Sequence, residues 1–241
     1  MSFLAKLFGK EKDKLHNKFL YSPVDYSVFF THTQYNGTEL ELLELGDLHL
    51  LTGRIVACDP LVFLGDWKIF SKSVKPGKYP VTVCVAKTAQ SGDRYAIVQV
   101  KFSDSIPTRW EMALTTEQNP SELKQDGDYF GYPVDAGLGC FCDEESQTLY
   151  KEFDKQFYDS HPEGNIYDDF FADEFKKNAV NPDDPRDIGD WLNFYIPGTE
   201  NRNVIMFHSG YGDGYYPCYW GVDNSNKICS LIVDFMVFDF G

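Results

Sequence analysis

Apolar residues alternate with polar ones in several short stretches of this chain, which is the spacing of β-strands buried on one face. Residues 79–86 show it most clearly, with β-branched residues at every second position. Residues 94–102 follow after a turn signal at 90–93, so the two stretches predict an antiparallel hairpin. Further strands are predicted at 48–56, 109–114, 191–196, 203–207, 215–221 and 228–238.

The middle of the chain changes to helical spacing. Leu149, Phe153 and Phe157 are four residues apart and predict a helix over residues 143–160. A second helix is predicted over 166–179, whereas residues 40–46 fit either a helix or a strand. Runs of strands on both sides of a run of helices predict an α+β fold with a mainly antiparallel sheet, as a single domain over 1–241.

The N-terminal residues form a separate pattern. Phe3, Leu4, Leu7 and Phe8 follow helical spacing among several lysines, which predicts a peripheral amphipathic helix within residues 1–18. Such a helix either packs on the body of the protein or touches an anionic membrane through residues 1–14. We expect no membrane span and no secretory leader, and therefore a cytoplasmic protein with reduced cysteines.

Composition and charge narrow the function classes. The 241 residues are 43% hydrophobic and 16% aromatic, which excludes disorder and favours a sheet-rich core. The net charge of −15 disfavours binding to nucleic acid. Residues 126–190 hold 18 acidic against 5 basic residues, a balance of −13. This segment is either a solvated helical face or a docking surface for a basic protein partner.

Candidate contact residues for such a partner lie in the predicted helices. They are aromatic anchors and neighbouring acids: Tyr158, Tyr167, Asp168, Asp169, Phe171, Asp173 and Glu174.

Two loops combine glycines with an aspartate. One contains Asp135 and Gly137, and the other contains Asp213 and Gly214. Glycines let a backbone turn sharply and approach a ligand closely. Aromatic rings with one or two fixed polar groups are typical of a recognition pocket. The candidate pocket residues are Asp135, Gly137, Asp213, Gly214, Tyr216, Tyr219 and Trp220. The alternative is that the loops are tight connections whose aromatic residues fill the core.

The sequence supports a catalytic site less strongly than it supports a binding pocket. Cys140, His208 and Asp213 occur in the order of some thiol hydrolases, without a local signature. Asp135 and Asp213 are a candidate acid/base or metal-sharing pair if the fold brings their loops together. The histidines are dispersed, and we predict neither a resident metal nor a cofactor.

Several motifs occur in a distinctive order: 79-YPV-81, 110-WEMAL-114, 131-GYPVDAGLGCF-141, 209-SGYGDG-214, 216-YPCYWG-221 and 233-VDFMV-237. In this order, over residues 75–240, they resemble a mostly bacterial family of proteins called domain of unknown function 4241. The resemblance implies that Asp135, Gly137, Asp213, Gly214, Tyr216 and Trp220 act together. It also implies soluble accessory proteins, some of them beside interbacterial toxin and immunity genes.

Two functions therefore stand as hypotheses. The first is an immunity-type or accessory interaction protein that binds a basic partner, such as a toxin domain, through the acidic segment at 126–190. The second is a small-ligand binder or metal-assisted hydrolase built on the Asp135 and Asp213 loops. We favour the first, because no catalytic signature is assembled in the sequence.

Overall fold

The computed structural model describes residues 18–240, and antiparallel strands make up most of its regular structure. The predicted N-terminal helix therefore lies almost wholly outside the described residues. The strands are β1 (Tyr21–Ser22), β2 (Gln34–Tyr35), β3 (Thr38–Leu50), β4 (Ile55–Cys58), β5 (Gly77–Thr88), β6 (Gly92–Lys101), β7 (Arg109–Met112), β8 (Gly131–Val134), β9 (Leu138–Asp143), β10 (Trp191–Tyr195), β11 (Asn203–His208), β12 (Gly214–Val222) and β13 (Ile228–Asp234).

Residues 18–240 contain few helices. They are α1 (Glu144–Ser160) and the short α2 (Ala172–Lys176), which continues a π-helical turn at Tyr167–Phe171. Short 3₁₀ turns occur at Tyr26–Phe30 and Pro120–Glu122. No helix among residues 18–240 is long and apolar enough to cross a membrane.

The strands form two sheets. The first has the order β1-β7-β12-β13-β6-β5-β3-β2, and β8 pairs with β12 beside it; the second has the order β10-β11-β9-β4. All of these strand pairs are antiparallel. The prediction of a mainly antiparallel sheet with a helical segment is confirmed, although the helices take up less of the chain than expected.

Two neighbouring residues of β10 show how the layers stack. The side-chain amide of Asn193 donates to the backbone carbonyl of Leu45 in β3, so the Asn193 side chain faces the first sheet. Successive side chains of a strand point to opposite faces. Phe194 accordingly faces away, and its ring lies 5.2 Å from that of Phe153 in α1 and 5.1 Å from that of Phe171. The second sheet is thus covered by the first sheet on one face and by the helices on the other.

The first sheet is also covered on both faces. The larger hydrophobic cluster fills the space between the two sheets, with Phe141 and Trp220, and continues under the helices, with Phe171. A smaller cluster on the outer face includes Tyr26, Phe29 and other residues that precede β2, together with the chain after β13. Both ends of the described chain therefore pack on the outer face of the first sheet.

Three predicted boundaries are wrong. Residues 48–56 are not one strand, because a turn at 51–54 separates β3 from β4. The second helix is shorter than 166–179 and begins with the π-helical turn. β13 ends at Asp234 rather than at 238, since the chain leaves the sheet to cover its outer face. Residues 40–46, which fitted either element, belong to β3.

A buried carboxylate holds the turn between β3 and β4. Asp143 is fully buried, and its Oδ2 accepts from the amide and hydroxyl of Thr52, at 3.0 and 2.9 Å, and from the amide of Gly53, at 3.2 Å. Its Oδ1 caps α1 by accepting from the amide of Glu145 at 3.0 Å. Gly53 has a φ of +74°, and a Cβ there would lie 2.0 Å from the carbonyl oxygen of Val74.

We expect Gly53→Ala to destabilise the protein far more than Gly92→Ala. Gly92 has a similar φ of +72° but open space around it. The Gly92 variant should lose about 1 kcal/mol for the left-handed backbone alone. The Gly53 variant must also displace a backbone carbonyl beside Asp143 and should lose at least about 3 kcal/mol. Urea unfolding of both variants measures the difference, and equal losses would contradict this account.

Candidate functional site

The two Gly-Asp loops meet in the structure. One is the turn between β8 and β9, and the other is the turn between β11 and β12. Because β8 pairs with β12 and β9 pairs with β11, both turns lie at the same end of these strands. The amide of Gly137 donates to Oδ1 of Asp213 at 3.1 Å, and the amide of Ser209 donates to the carbonyl of Gly137 at 3.0 Å.

A third aspartate, which the sequence analysis missed, positions the first loop. Asp59 is fully buried. Its Oδ2 accepts from the amides of Asp135, at 3.0 Å, and Ala136, at 2.7 Å. Its Oδ1 accepts from the amides of Leu61, at 2.9 Å, and Val62, at 3.3 Å. The only signal in the sequence is an aspartate followed by a proline directly after the apolar residues of β4.

The carboxylates of the two loops differ in what they do. Asp213 uses one oxygen to fix the amide of Gly137. Asp135 is exposed, and no partner for its carboxylate is found among residues 18–240. The same part of the chain contains no group of three or more histidine, cysteine or acidic side chains placed to share a metal ion. The loops therefore present one open carboxylate beside a rigid backbone turn.

The aromatic residues predicted for the pocket do not gather around these loops. Tyr216 is the nearest: its hydroxyl donates to the carbonyl of Gly212 at 2.8 Å, and burial raises the pKa of the phenol. Trp220 is fully buried, with its ring 5.6 Å from that of Phe70. Tyr219 lies on the opposite face of the sheet, where its ring stacks on Tyr26 at 5.3 Å.

The predicted single pocket is therefore wrong. Tyr219 and Trp220 are consecutive in β12 and must point to opposite faces. Tyr216 and Trp220 share the inner face and pack in the core. Gly214 is exposed at the start of β12, where it pairs with Val134. Of the seven predicted residues, only Asp135, Gly137, Asp213 and Gly214 lie together near the surface.

The thiol-hydrolase combination is not assembled. Cys140 is fully buried and contacts the thiol of Cys58, whose pKa is raised by burial. Nδ1 of His208 lies 3.1 Å from Oδ1 of Asp190, and this contact lowers the pKa of Asp190. No hydrogen bond joins Cys140, His208 and Asp213 within the described chain, so the sequence order of these residues does not reflect a catalytic arrangement.

The acidic helices carry the other candidate site. Phe153 contacts both Phe170, at 5.2 Å, and Phe171, at 6.2 Å, so α1 and the π-helical turn lie side by side on the second sheet. Asp168, Asp169 and Asp173 are exposed on the outside of this layer. We define the acidic helical surface as the exposed residues Glu152, Tyr158, Glu163, Asp168, Asp169 and Asp173.

Three of the predicted contact residues need correction. Phe171 is fully buried against Phe194 and cannot serve as an exposed anchor. Tyr167 is half-buried beside Phe175. Glu174 is half-buried and forms an ion pair with Lys177. Tyr158, with 40% of its surface exposed, is the aromatic residue that remains available.

One comparison with known proteins gives a match. The family described as "Protein of unknown function (DUF4241)" matches residues 48–233. The match begins earlier than the motifs at 75–240 suggested, and it includes β4 and Asp59. No curated protein and no solved structure matches the chain.

We expect Asp59→Asn to destabilise the fold strongly. In the asparagine variant, an NH₂ group replaces one carboxylate oxygen and faces two backbone N–H donors. Neither group can accept a hydrogen bond from the other, so the buried donors lose their acceptor. The loss should be at least about 3 kcal/mol, measured by urea unfolding.

Asp213→Asn is the matched control. Its amide oxygen can still accept from Gly137, and the position is exposed, so the loss should stay below about 1 kcal/mol. If both variants unfold at the same urea concentration, Asp59 does not have the structural role described here.

Proposed function

This chain belongs to the DUF4241 family, and we propose that it is a protein-binding module that captures a basic partner on its acidic helical surface. The observation that carries the proposal is the uncompensated charge on the outside of the helices. The position of α1 and the π-helical turn exposes carboxylates such as Asp168, while most of their aromatic residues pack toward the second sheet.

The cations of this segment do not neutralise the surface. Residues 126–190 contain five lysines and arginines, and each is already engaged. Four form ion pairs with nearby acids, namely Lys151 with Asp66, Lys155 with Asp159, Lys177 with Glu174 and Arg186 with Asp184. The ammonium group of Lys176 donates instead to the carbonyls of Asp184 and Asp187.

The acids of the surface are left without such partners. No ion pair within residues 18–240 involves Glu152, Glu163, Asp168 or Asp173. Exposed like charges that repel one another favour a partner of opposite charge, because complementary fields speed and orient the encounter.

The partner class follows from the sign of this field. A nucleic acid would be repelled, whereas a basic protein would be attracted. Tyr158 supplies an exposed aromatic side chain within the acidic surface, as expected of an interface anchor. The most concrete form of the proposal is an immunity-type protein that covers a basic toxin domain. A cytoplasmic location is part of it, supported by six free and buried cysteines.

The small-ligand alternative has one observation in its favour, the exposed Asp135 carboxylate beside the fixed turn. It has less support, because Asp213 and Asp59 both hold backbone amides and the predicted aromatic residues face elsewhere. Asp135→Asn separates the two functions: it should leave partner capture unchanged under our proposal.

The test is a pull-down from the native organism with the tagged full chain, followed by affinity measurements with the retained protein. We expect one basic protein at near-stoichiometric amount that is lost as the salt concentration rises. The double variant Asp168→Lys/Asp173→Lys should weaken its affinity roughly tenfold or more and flatten the salt dependence.

The matched control places the same charge change elsewhere. Glu39→Lys/Glu200→Lys alters two exposed acids outside the helices and should leave the affinity within about twofold. Absence of any basic partner, or equal weakening by both double variants, would rule out the acidic helical surface as the binding site.

A further inference from the structure

A second site lies on the other side of the molecule. A cleft of about 960 Å³ opens on the outer face of the first sheet, between the first described residues and the chain that follows β13. Its walls are rich in aromatic rings, and its lining includes Tyr21, Tyr26, Tyr129, Tyr219 and Phe240. The acidic helical surface covers the far face of the second sheet, so the two sites are separated by both sheets.

The cleft contains one buried carboxylate. Asp234, the last residue of β13, lines it with only 4% of its surface exposed. Its Oδ2 accepts from the hydroxyl of Tyr26 at 2.9 Å, and its Oδ1 accepts from the amide of Met236 at 2.8 Å. No cation pairs with it among residues 18–240.

This is an unusual position for a carboxylate. Asp59 and Asp143 accept four hydrogen bonds each and are enclosed by backbone turns. Asp223 accepts from two amides of its own turn and lies outside the cleft. Asp234 has two such bonds and faces a cavity. Burial raises its pKa to about 6, because little in its surroundings compensates the charge. A cation placed in the cleft would supply that compensation.

The rings around Asp234 favour the same kind of ligand. Tyr26 and Tyr219 stack with their centroids 5.3 Å apart and an interplanar angle of 25°. The ring of Phe240 meets Tyr26 edge-on at 6.1 Å. The faces of aromatic rings attract cations, and their area binds apolar groups.

We propose that this cleft binds a small organic cation, namely a primary ammonium group on a flat apolar body. The ammonium group lies at Asp234 and donates hydrogen bonds to its free lone pairs. The apolar body lies against the tyrosine and phenylalanine rings.

The probe is phenethylammonium chloride, titrated into the full chain by calorimetry at pH 7.5. We expect saturable binding with a Kd on the order of 1 mM or below, as suits so small a molecule. The neutral analogue 2-phenylethanol has the same ring and chain, and it should bind at least about tenfold more weakly. Equal binding of the two would overturn the proposal, because the carboxylate would then contribute nothing.

Asp234→Asn is the informative variant. The asparagine side chain keeps the shape of the aspartate and an acceptor for one of its two hydrogen bonds. The variant protein should bind the probe at least about tenfold more weakly. Asp223→Asn is the control, since Asp223 is a buried acid at the other end of the β12–β13 hairpin and outside the cleft. Undiminished binding by the Asp234 variant would also overturn the proposal.

The pH dependence gives a readout that a merely structural role would not produce. The tyrosines that face Asp234 in the cleft are Tyr26 from the N-terminal side, Tyr219 from β12 and Tyr129 from the loop before β8. The charged residues of the lining besides Asp234 are Lys18, Asp126, Asp128 and Asp239, and Lys18 pairs with Asp126. Burial raises the pKa of each tyrosine, so all three remain neutral between pH 5 and 8.

Asp234 is the lining residue whose pKa burial raises into that range. Below its pKa the carboxyl group is neutral, so affinity for the probe should fall several-fold from pH 7.5 to pH 5. The Asp234→Asn variant should show no such fall. A pH profile that is the same with and without Asp234 would contradict the assignment.

An ammonium group for the cleft could also come from the chain itself, because Lys6, Lys10, Lys12 and Lys14 precede the cleft in sequence. A variant with these four lysines changed to glutamine distinguishes the sources. Equal binding of the probe by this variant and the unmodified chain supports a free amine as the ligand. Binding that occurs only in the variant would overturn the proposal in favour of the chain's own lysines.

Discussion

The pairing of β4 with β9 depends on two buried carboxylates that bind backbone amides in place of cations. Asp143 ends β9 and holds the turn that leads into β4. Asp59 follows β4 and holds the turn that leads into β9. In this antiparallel pair, an aspartate at the end of each strand thus holds the turn that precedes the other strand. A carboxylate that accepts several amide hydrogen bonds is stabilised without a counter-ion, which explains how two acids can be fully buried.

Both candidate surfaces near the second sheet depend on this arrangement. Asp143 also caps α1, so the acidic helices begin at one end of the pair. Asp59 fixes the backbone of Asp135 at the other end, where the Gly137 amide is then in reach of Asp213. Asp213, one of the two loop aspartates, therefore has a structural role. We place the functional charge on the helices, because the exposed carboxylates of Glu152, Asp168 and Asp173 form no ion pair within residues 18–240.

The parts of the fold that were predictable are those set by local spacing. The helix at 143–160 and the strand at 79–86 were predicted because their apolar residues repeat with the period of one buried face. Residues 48–56 misled the prediction, since the turn at Gly53 depends on Asp143, which is distant in sequence. Phe171 was chosen as an anchor because it is an aromatic residue among acids, but its ring is buried against Phe194. Asp59 was missed because its four partners are amides, which every residue has.

The predicted pocket shows that local sequence was equally insufficient to group functional residues. Tyr216, Tyr219 and Trp220 were grouped because they are close in sequence, but a strand sends neighbours to opposite faces. Trp220 is fully buried between the sheets, whereas Tyr219 belongs to a cleft that the sequence gives no reason to expect. That cleft is assembled from the two ends of the described chain and β12, and its carboxylate is buried without a counter-ion. The separation of this cleft from the acidic helical surface by both sheets means that each site can be altered without touching the other. Under our two proposals, the fold binds a protein partner on one side and a small organic cation on the other.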